Sequence, residues 1–517
     1  MSRISRRDFL KTSAALVASA AFSGTSPILS SAHSVIAGKP NLLIFVFDAM
    51  SARHLSLYGY SRKTTPNLER FAEHASVYHK HYSTGNFTTT GTASMLTGMY
   101  PWTHRAFTYR GMIDRTLTDR NLFKLVGNEY TRFAFTQNLW ADILLSQLET
   151  DLDYHLPCDA YSQGDFSLFQ PDDLFDDRAM AYYVFQDFLN LRTLEKHPYP
   201  GSLFIGSAEY LKALTTDSDH ISVDYPRGLP TVYDFSYKNE SVFAGIDHLA
   251  QNMLSQSSPG LGYFHFWSPH GPYRVRKDFI GIFKDDLKWL SKPHHPLAGD
   301  DFSEELMQEN HREYDEAIAE VDAEFGRVMA DFERAGILQN SYVIVTSDHG
   351  DLFERGEIGH ASALMYAPVT HIPLLISAPG QQTRSDFHSL TSNLDLLPTL
   401  LQIVGKEIPN WIEGILLPGF GGTEDANASR SIFPMVAKDN AAFRPIKHGT
   451  FMLIKGAYEL FFFTGYPDHP DTFELYDLQE DPDELHDLFR SDITTASQMK
   501  DELLEAISTA NRNYQKK

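Results

Sequence analysis

Twice in this chain an unbroken apolar run gives way to an aspartate. Asn41 to Phe47 (Asn-Leu-Leu-Ile-Phe-Val-Phe) stops at Asp48, and Tyr342 to Thr346 (Tyr-Val-Ile-Val-Thr) leads through Ser347 to Asp348-His349-Gly350. Runs without polar alternation read as strands buried on both faces, the habit of a parallel sheet covered by helices on each side. Helical patterns lie between them. Thr65-Pro66 offers an N-cap followed by proline at the first helical position, and Leu68, Phe71, Ala72 and Ala75 recur at helical spacing. A longer face, Tyr314, Ile318, Val321, Phe325, Val328 and Phe332, begins near His311 and stops at Gly336. Strand, helix and strand in this order predict an α/β fold, a doubly wound and mainly parallel sheet flanked by helices.

Ligand sites in such sheets lie beyond the carboxyl ends of the strands. Asp48 and Asp348-His349 both fall there. A third segment, Thr88-Thr89-Thr90-Gly91-Thr92, precedes a helix predicted to begin near Thr92, whose first amide groups could face an anion. A hard divalent cation takes oxygen ligands, with imidazole added when the metal is borderline. Asp48, Asp348 and His349 supply two carboxylates and an imidazole, and the Thr88 hydroxyl is a candidate fourth ligand. The expectation is therefore one divalent ion, Ca, Mn, Mg or Zn. Such an ion would lower the hydroxyl pKa and set its oxygen for attack on a tetrahedral anion. His270, in Ser-Pro-His-Gly-Pro-Tyr, and His360, in Ile-Gly-His-Ala, are candidates to contact the transferred group or to protonate a leaving oxygen. His265 and Thr92 are candidate substrate contacts, and His265 reads equally well as a packed histidine. An aspartate after a strand is commonly a turn former or cap. The case therefore rests on the set, not on any one member.

The formal net charge of −23 argues against a nucleic-acid partner. It does not oppose a small anionic ester substrate, which meets only the local field of its pocket. Cys158 is the only cysteine, so neither an intramolecular disulfide nor a thiolate cluster can form. Ser5-Arg6-Arg7-Asp8-Phe9-Leu10-Lys11 fits a twin-arginine signal, and the apolar run from Thr12 to Phe22 is too short to cross a bilayer. A signal over residues 1–32, handled by the Tat export machinery, is expected. The location is then periplasmic or exported, with no stable membrane span. Residues 40–437 are expected to form the catalytic unit. Insertions over about 137–240, rich in Asp, Tyr and Phe, either shape a substrate pocket or decorate the periphery. Residues 438–517 are expected to form a small α+β unit, with Thr450–Ile454 and Tyr458–Phe463 as a hairpin and a last helix beyond Leu475-Tyr476-Asp477-Leu478.

Ala93-Ser94-Met95-Leu96-Thr97-Gly98-Met99-Tyr100-Pro101 resembles the helix that follows the nucleophile in the sulfatase family of the alkaline-phosphatase-like superfamily. The resemblance extends over roughly residues 40–136, 241–405 and 440–490. It takes in Tyr58-Gly59-Tyr60, Thr64-Thr65-Pro66-Asn67-Leu68, the His270 turn, Tyr314-Asp315, Ser347-Asp348-His349-Gly350, Gly359-His360 and Asp395-Leu396-Leu397-Pro398-Thr399. It implies metal ligation by Asp48, Asp348 and His349, a nucleophile at Thr88, and anion contacts from His270 and His360. The chain departs from the family pattern at the nucleophile. Sulfatases make a formylglycine from Cys or Ser in a motif that also holds Pro and Arg; here Thr88, Thr90 and Thr92 stand at those three positions, and Asp48-Ala49 replaces a carboxylate pair. Threonine nucleophiles occur in superfamily relatives that cleave phosphodiesters or transfer phospho-groups. The resemblance thus implies a metal-dependent hydrolase of phosphate or sulfate esters with phosphoesters favoured. The alternatives are a phospho-group transferase, or a non-catalytic protein that binds an anionic glycan or lipid headgroup.

Overall fold

The computed structural model describes residues 38–108, 111–163, 222–232, 235–254, 258–284, 287–299, 302–360, 362–512 and 514. The twin-arginine segment and most of the expected insertion lie outside the described residues.

The centre is an eight-stranded sheet built from β1 (Asn41–Phe47), β2 (Ser76–Tyr78), β3 (Thr131–Thr136), β4 (Tyr154–His155), β5 (Gly260–Phe266), β6 (Ser341–Thr346), β7 (Leu374–Ser377) and β8 (Ser385–Phe387). Their order across the sheet is β8-β2-β7-β6-β1-β5-β3-β4. All pairings are parallel except those of β7, which runs against both β6 and β2. The doubly wound, mainly parallel expectation describes this sheet. β1 lies at its middle, with Phe45 beside Phe264 of β5 and Val345 of β6.

The seven residues of β1 show why an apolar run without alternation is needed here. Leu43, Phe45 and Phe47 enter one core, and Leu42, Ile44 and Val46 the other. Side chains that alternate about a strand must all be apolar when both faces are covered. The first face is covered by α1 (Pro66–Ala72), α4 (Asn239–Leu254) and α5 (Glu304–Arg334), the second by α2 (Thr88–Thr97), α3 (Leu139–Gln147) and α6 (Leu396–Ile403). Phe325 of α5 sets its ring edge-on to Phe45 at 5.6 Å, the geometry aromatic quadrupoles favour.

Three boundaries differ from the sequence reading. Helix α5 starts at Glu304 rather than near His311, because Ser303 caps it by accepting from Leu306 N at 3.3 Å. The stretch after Gln137 belongs to the main fold: α3 buries Leu144 and Leu145, and β4 pairs with β3, so any insertion follows His155. The small C-terminal sheet draws strands from ahead of residue 438, namely β9 (Ser431–Ile432) and β10 (Met435–Val436). These flank β11 (Gly449–Lys455), which forms the expected hairpin with β12 (Tyr458–Thr464) and is followed by β13 (Thr472–Asp477) and α7 (Ile493–Arg512). Val436, Met452, Phe461, Phe463 and Tyr476 of this unit share a core with Phe87, Leu352 and Tyr366.

Candidate active site

Four neighbouring parallel strands deliver the site from their carboxyl ends. Asp48 follows β1, Gln137-Asn138 follow β3, His265 lies near the end of β5, and Asp348-His349 follow β6. Asp48 N donates to Phe266 O at 2.9 Å, which extends the β1–β5 register by one residue. Ala49 then turns with φ 59°, a left-handed value that is costly for alanine, and its N–H donates to Asp348 Oδ1 at 3.2 Å. Tyr314 of α5 pins the same turn: its hydroxyl donates to Ala49 O at 2.6 Å and accepts from Ser51 N at 2.8 Å.

Thr88 is the first residue of α2, not the residue before a helix that begins near Thr92. β-Branched threonines are weak helix formers, but the whole segment is buried and its packing overrides propensity. Gly91 permits the close approach. A Cβ at this position would lie 2.2 Å from Asp348 O, so only glycine lets α2 reach the loop after β6.

These elements bring Thr88, Asp48, Asp348 and His349 together. Thr88 Oγ1 is 3.5 Å from His349 Nε2. His349 Nε2 is 3.5 Å from Asp48 Oδ1 and 3.6 Å from Asp348 Oδ2. His349 Nδ1 donates to Gly350 O at 2.9 Å, which fixes the tautomer and leaves Nε2 as a lone pair facing the carboxylates. All four side chains are buried.

The structure assigns His265 and Thr92 different places from the substrate side expected of them. His265 Nε2 lies 3.5 Å from Asp48 Oδ2 and 3.6 Å from Asp348 Oδ2, with the ring fully buried, so it faces the carboxylate pair. Thr92 sits one helical turn beyond Thr88, buried against Tyr263, whose hydroxyl is 3.3 Å from His265 Nδ1. Its hydroxyl makes no hydrogen bond to the groups around Thr88. His270 and His360 lie beside His349. Their ring centres are 4.9 Å apart, and that of His360 is 4.1 Å from His349. His270 Nδ1 donates to Gly271 O at 2.7 Å. His360 Nδ1 bonds Asp351 Oδ1 at 2.5 Å, and Tyr273 OH donates to Asp351 Oδ2 at 2.9 Å.

Sequence reading missed two residues. One is Asp351, for which a carboxylate two residues past a candidate ligand histidine was the available signal. The other is Asn138, which caps α3: its Oδ1 accepts from Trp140 N at 2.8 Å, and its Nδ2 donates to Asp48 Oδ2 and, at 3.0 Å, to Thr88 Oγ1.

The electrostatics follow from burial and proximity. Burial would push the Asp48 carboxyl up, but the imidazoles of His270, His265 and His349 outweigh it and hold Asp48 well below the usual carboxylate range. Asp348 is pushed up by burial and by the negative charge of Asp48. Burial pulls His265 down, and the Asp48 and Asp348 carboxylates more than reverse this. His360 is pulled down to about 3 by burial and by His349. Two carboxylates this close repel unless something positive lies between them. Asp48 Oδ1, Asp348 Oδ2 and His265 Nε2 are buried and have no hydrogen-bond partner, a costly state for each. Oxygen and imidazole donors with unmet demand fit a divalent cation. Asp48, Asp348 and His349 lie close enough to share one ion.

An open α/β sheet that gathers acid, imidazole and hydroxyl groups at its carboxyl edge has the layout of an α/β hydrolytic enzyme, and the family match that follows places the protein in the alkaline-phosphatase-like superfamily. Residues 40–142 and 182–406 match the sulfatase family profile, and residues 356–512 match that of the N-sulphoglucosamine sulphohydrolase C-terminal region. The chain belongs to the sulfatase family. Residues 3–23 match the twin-arginine translocation signal sequence, which directs export to the periplasm. Arylsulfatase K of Xenopus laevis is 32% identical over 189 residues, covering 36% of this chain and 34% of that protein. The match thus spans about a third of the arylsulfatase K length. Choline-sulfatase of Rhizobium meliloti is 22% identical over 481 residues, covering 87% of this chain and 82% of that one. The phosphonate monoester hydrolase of Agrobacterium radiobacter superposes with a TM-score of 0.64 at 17% identity, covering 91% of this chain and 96% of that chain, which establishes the shared fold. Among the described residues no helix is long and apolar enough to cross a membrane.

Proposed function

We propose that this protein is an exported, metal-dependent ester hydrolase in which Thr88 is the nucleophile, and that phosphoesters are preferred to sulfate esters. The observation that carries the reading is the placement of Thr88 Oγ1, 3.5 Å from His349 Nε2 and linked through Asn138 to Asp48. One divalent ion, held by Asp48, Asp348, His349 and Thr88 with His265 alongside, would polarise the substrate and offset charge that develops on its oxygens. Asp48, Thr88, Asp348 and His349 are the ligands the sequence suggested; His265 is an addition from the geometry.

The chain's own groups do the rest. Thr88 gives up its proton to His270 or His360, and Oγ forms a bond to the central atom of the ester. The bond from that atom to the alcohol oxygen breaks with its electron pair, and His270 or His360 hands a proton to the departing oxygen. Water then bonds to the central atom, Oγ leaves with its electron pair, and the proton lost by water restores the Thr88 hydroxyl. The sum is one ester and one water converted to an alcohol and an acid. A threonine adduct is released only by attack at the central atom, which phosphorus accepts more readily than sulfur. Thr88 cannot become a formylglycine, and this supports the phosphoester preference.

The test is a panel of sulfate monoesters, phosphate monoesters, phosphodiesters and phosphonates, given to the metal-loaded protein and to Thr88→Ala. A loss of roughly two decades or more on a phosphoester is expected, the usual scale for removing a covalent nucleophile. Equal measurable rates in the two proteins would overturn the assignment of Thr88, and no turnover by either would favour a protein that binds an anion without turning it over.

A further inference from the structure

We propose that Asn138 is a catalytic residue whose amide N–H stabilises the Thr88 oxygen as that oxygen leaves the covalent adduct. The inference rests on Thr88 being the nucleophile. It goes beyond that reading by assigning the group that makes a simple alkoxide a tolerable leaving group.

Asn138 is almost fully buried, and its three side-chain bonds leave no freedom in its orientation. Oδ1 accepts from Trp140 N at 2.8 Å at the start of α3, so the NH2 group must point the other way. Its two N–H bonds meet two acceptors, Asp48 Oδ2 and Thr88 Oγ1, the latter at 3.0 Å. The backbone is fixed as well, since Asn138 N donates to Thr136 Oγ1 at 3.0 Å. The donor is therefore preorganised: it costs no reorientation when charge appears on Oγ.

The bond is worth different amounts along the reaction. In the adduct, Oγ bridges Cβ and the central atom, carries little charge and is a poor acceptor. As water bonds to the central atom and the Oγ bond breaks, the electron pair returns to Oγ, and the amide bond shortens onto a developing alkoxide. An interaction stronger in the transition state than in the state before it raises turnover rather than binding. Threonine is a poor leaving group beside an activated phenol. With an activated ester, release of Oγ is then the slow step, and the donor acts there.

The experiment uses the full-length, metal-loaded protein and bis(p-nitrophenyl) phosphate as probe. Asn138→Ser keeps a side-chain oxygen able to cap α3 and removes the amide donor; Asn138→Ala removes both. The initial release of nitrophenolate in Asn138→Ser is expected to match one turnover per site, as in the parent protein. Steady-state kcat is expected to fall on the order of a hundredfold or more, as for loss of one preorganised donor. KM is expected not to rise, and intact-protein mass should show the phosphoryl adduct accumulating on Thr88. Retained kcat within about threefold of the parent would overturn the proposal. So would a loss of kcat with an equal loss of the burst and no adduct, the mark of a structural cap alone. A parent protein that never labels on Thr88, with Thr88→Ala equally active, would remove the nucleophile assignment first and this inference with it. Adduct in the parent but normal release in Asn138→Ser removes this inference alone.

Discussion

His265 Nε2 lies 3.6 Å from Asp348 Oδ2, both atoms are buried, and neither has a hydrogen-bond partner. The pair would be a defect in an apolar core, and it is consistent with a pocket built around a cation. Dialysed protein is expected to retain a divalent metal in stoichiometric amount, measured by elemental analysis. A chelator should lower its melting temperature. His265→Gln should weaken metal affinity on the order of tenfold to a hundredfold, the usual effect of altering a group that supports a metal site. A melting temperature indifferent to chelator and metal would contradict the cation site.

Gly91 admits no side chain, because a Cβ would lie 2.2 Å from the backbone oxygen of Asp348. Gly91→Ala is therefore expected to push α2 away from the loop after β6. The cost is about 1–3 kcal/mol, typical of overpacking in a dense interior. Chemical denaturation measures the stability, and hydrolysis of the best ester in the panel should fall with it. A variant with unchanged stability and activity would show that the contact relaxes freely.

Asp351 holds His360 by the ring, with Nδ1 and Oδ1 at 2.5 Å, and is itself held by Tyr273. Asp351→Asn should lower kcat by about tenfold to a hundredfold by loosening the tautomer and angle of His360, since outer partners of functional imidazoles carry effects of that order. Imidazole nitrogen resonances should show a mixed tautomer at His360 in the variant. An unchanged rate would separate His360 from the chemistry.

Glu320 on α5 is buried, accepts from Asn239 Nδ2 at 2.7 Å and from Arg276 N at 3.1 Å, and is pushed up by burial from 4.5 to about 7. Between those values the folded protein holds a proton there that the unfolded chain has lost. Stability contributed by this group therefore falls as pH rises through that window. Glu320→Gln has no such proton to lose. Its melting temperature relative to the parent should be more favourable at pH ~8 than at pH ~5, by at most about 3 kcal/mol in free energy. A difference that is flat with pH would count against a raised carboxyl.

The legible parts of the fold were those written in period. β1 and β6 announced themselves because burial on both faces keeps their middle residues, Leu42–Phe47 and Val343–Val345, apolar, and the face of α5 from Tyr314 to Phe332 did so by helical spacing. Asp48, Thr88, Asp348 and His349 were legible as a set because each follows or begins an element that points to one sheet edge. The start of α2 was not, since a threonine run argues locally against helix, and only burial against the Asp348 loop decides otherwise. The sequence left His265 open between a substrate contact and a packed histidine, because strand periodicity says which face a residue takes, not what lies opposite: here the two aspartates that follow β1 and β6. Asn138 was hidden by its other job. A cap needs only the side-chain oxygen, and nothing in the sequence says where the nitrogen points.

Phe87, the residue ahead of Thr88, packs into a core shared with Val436, Met452, Phe461 and Tyr476. The start of α2, where Thr88 stands, is thus held by side chains that leave the ribosome some 350 residues later, counting from 87 to 436. Until that late segment arrives, Phe87 lacks part of the core it packs into. A nascent or truncated chain can own every polar group of the site and still lack the clamp that aims it. The surroundings of Thr88 are therefore completed only after residues 436–476 have been made, which suits a protein whose signal belongs to a route that moves folded cargo.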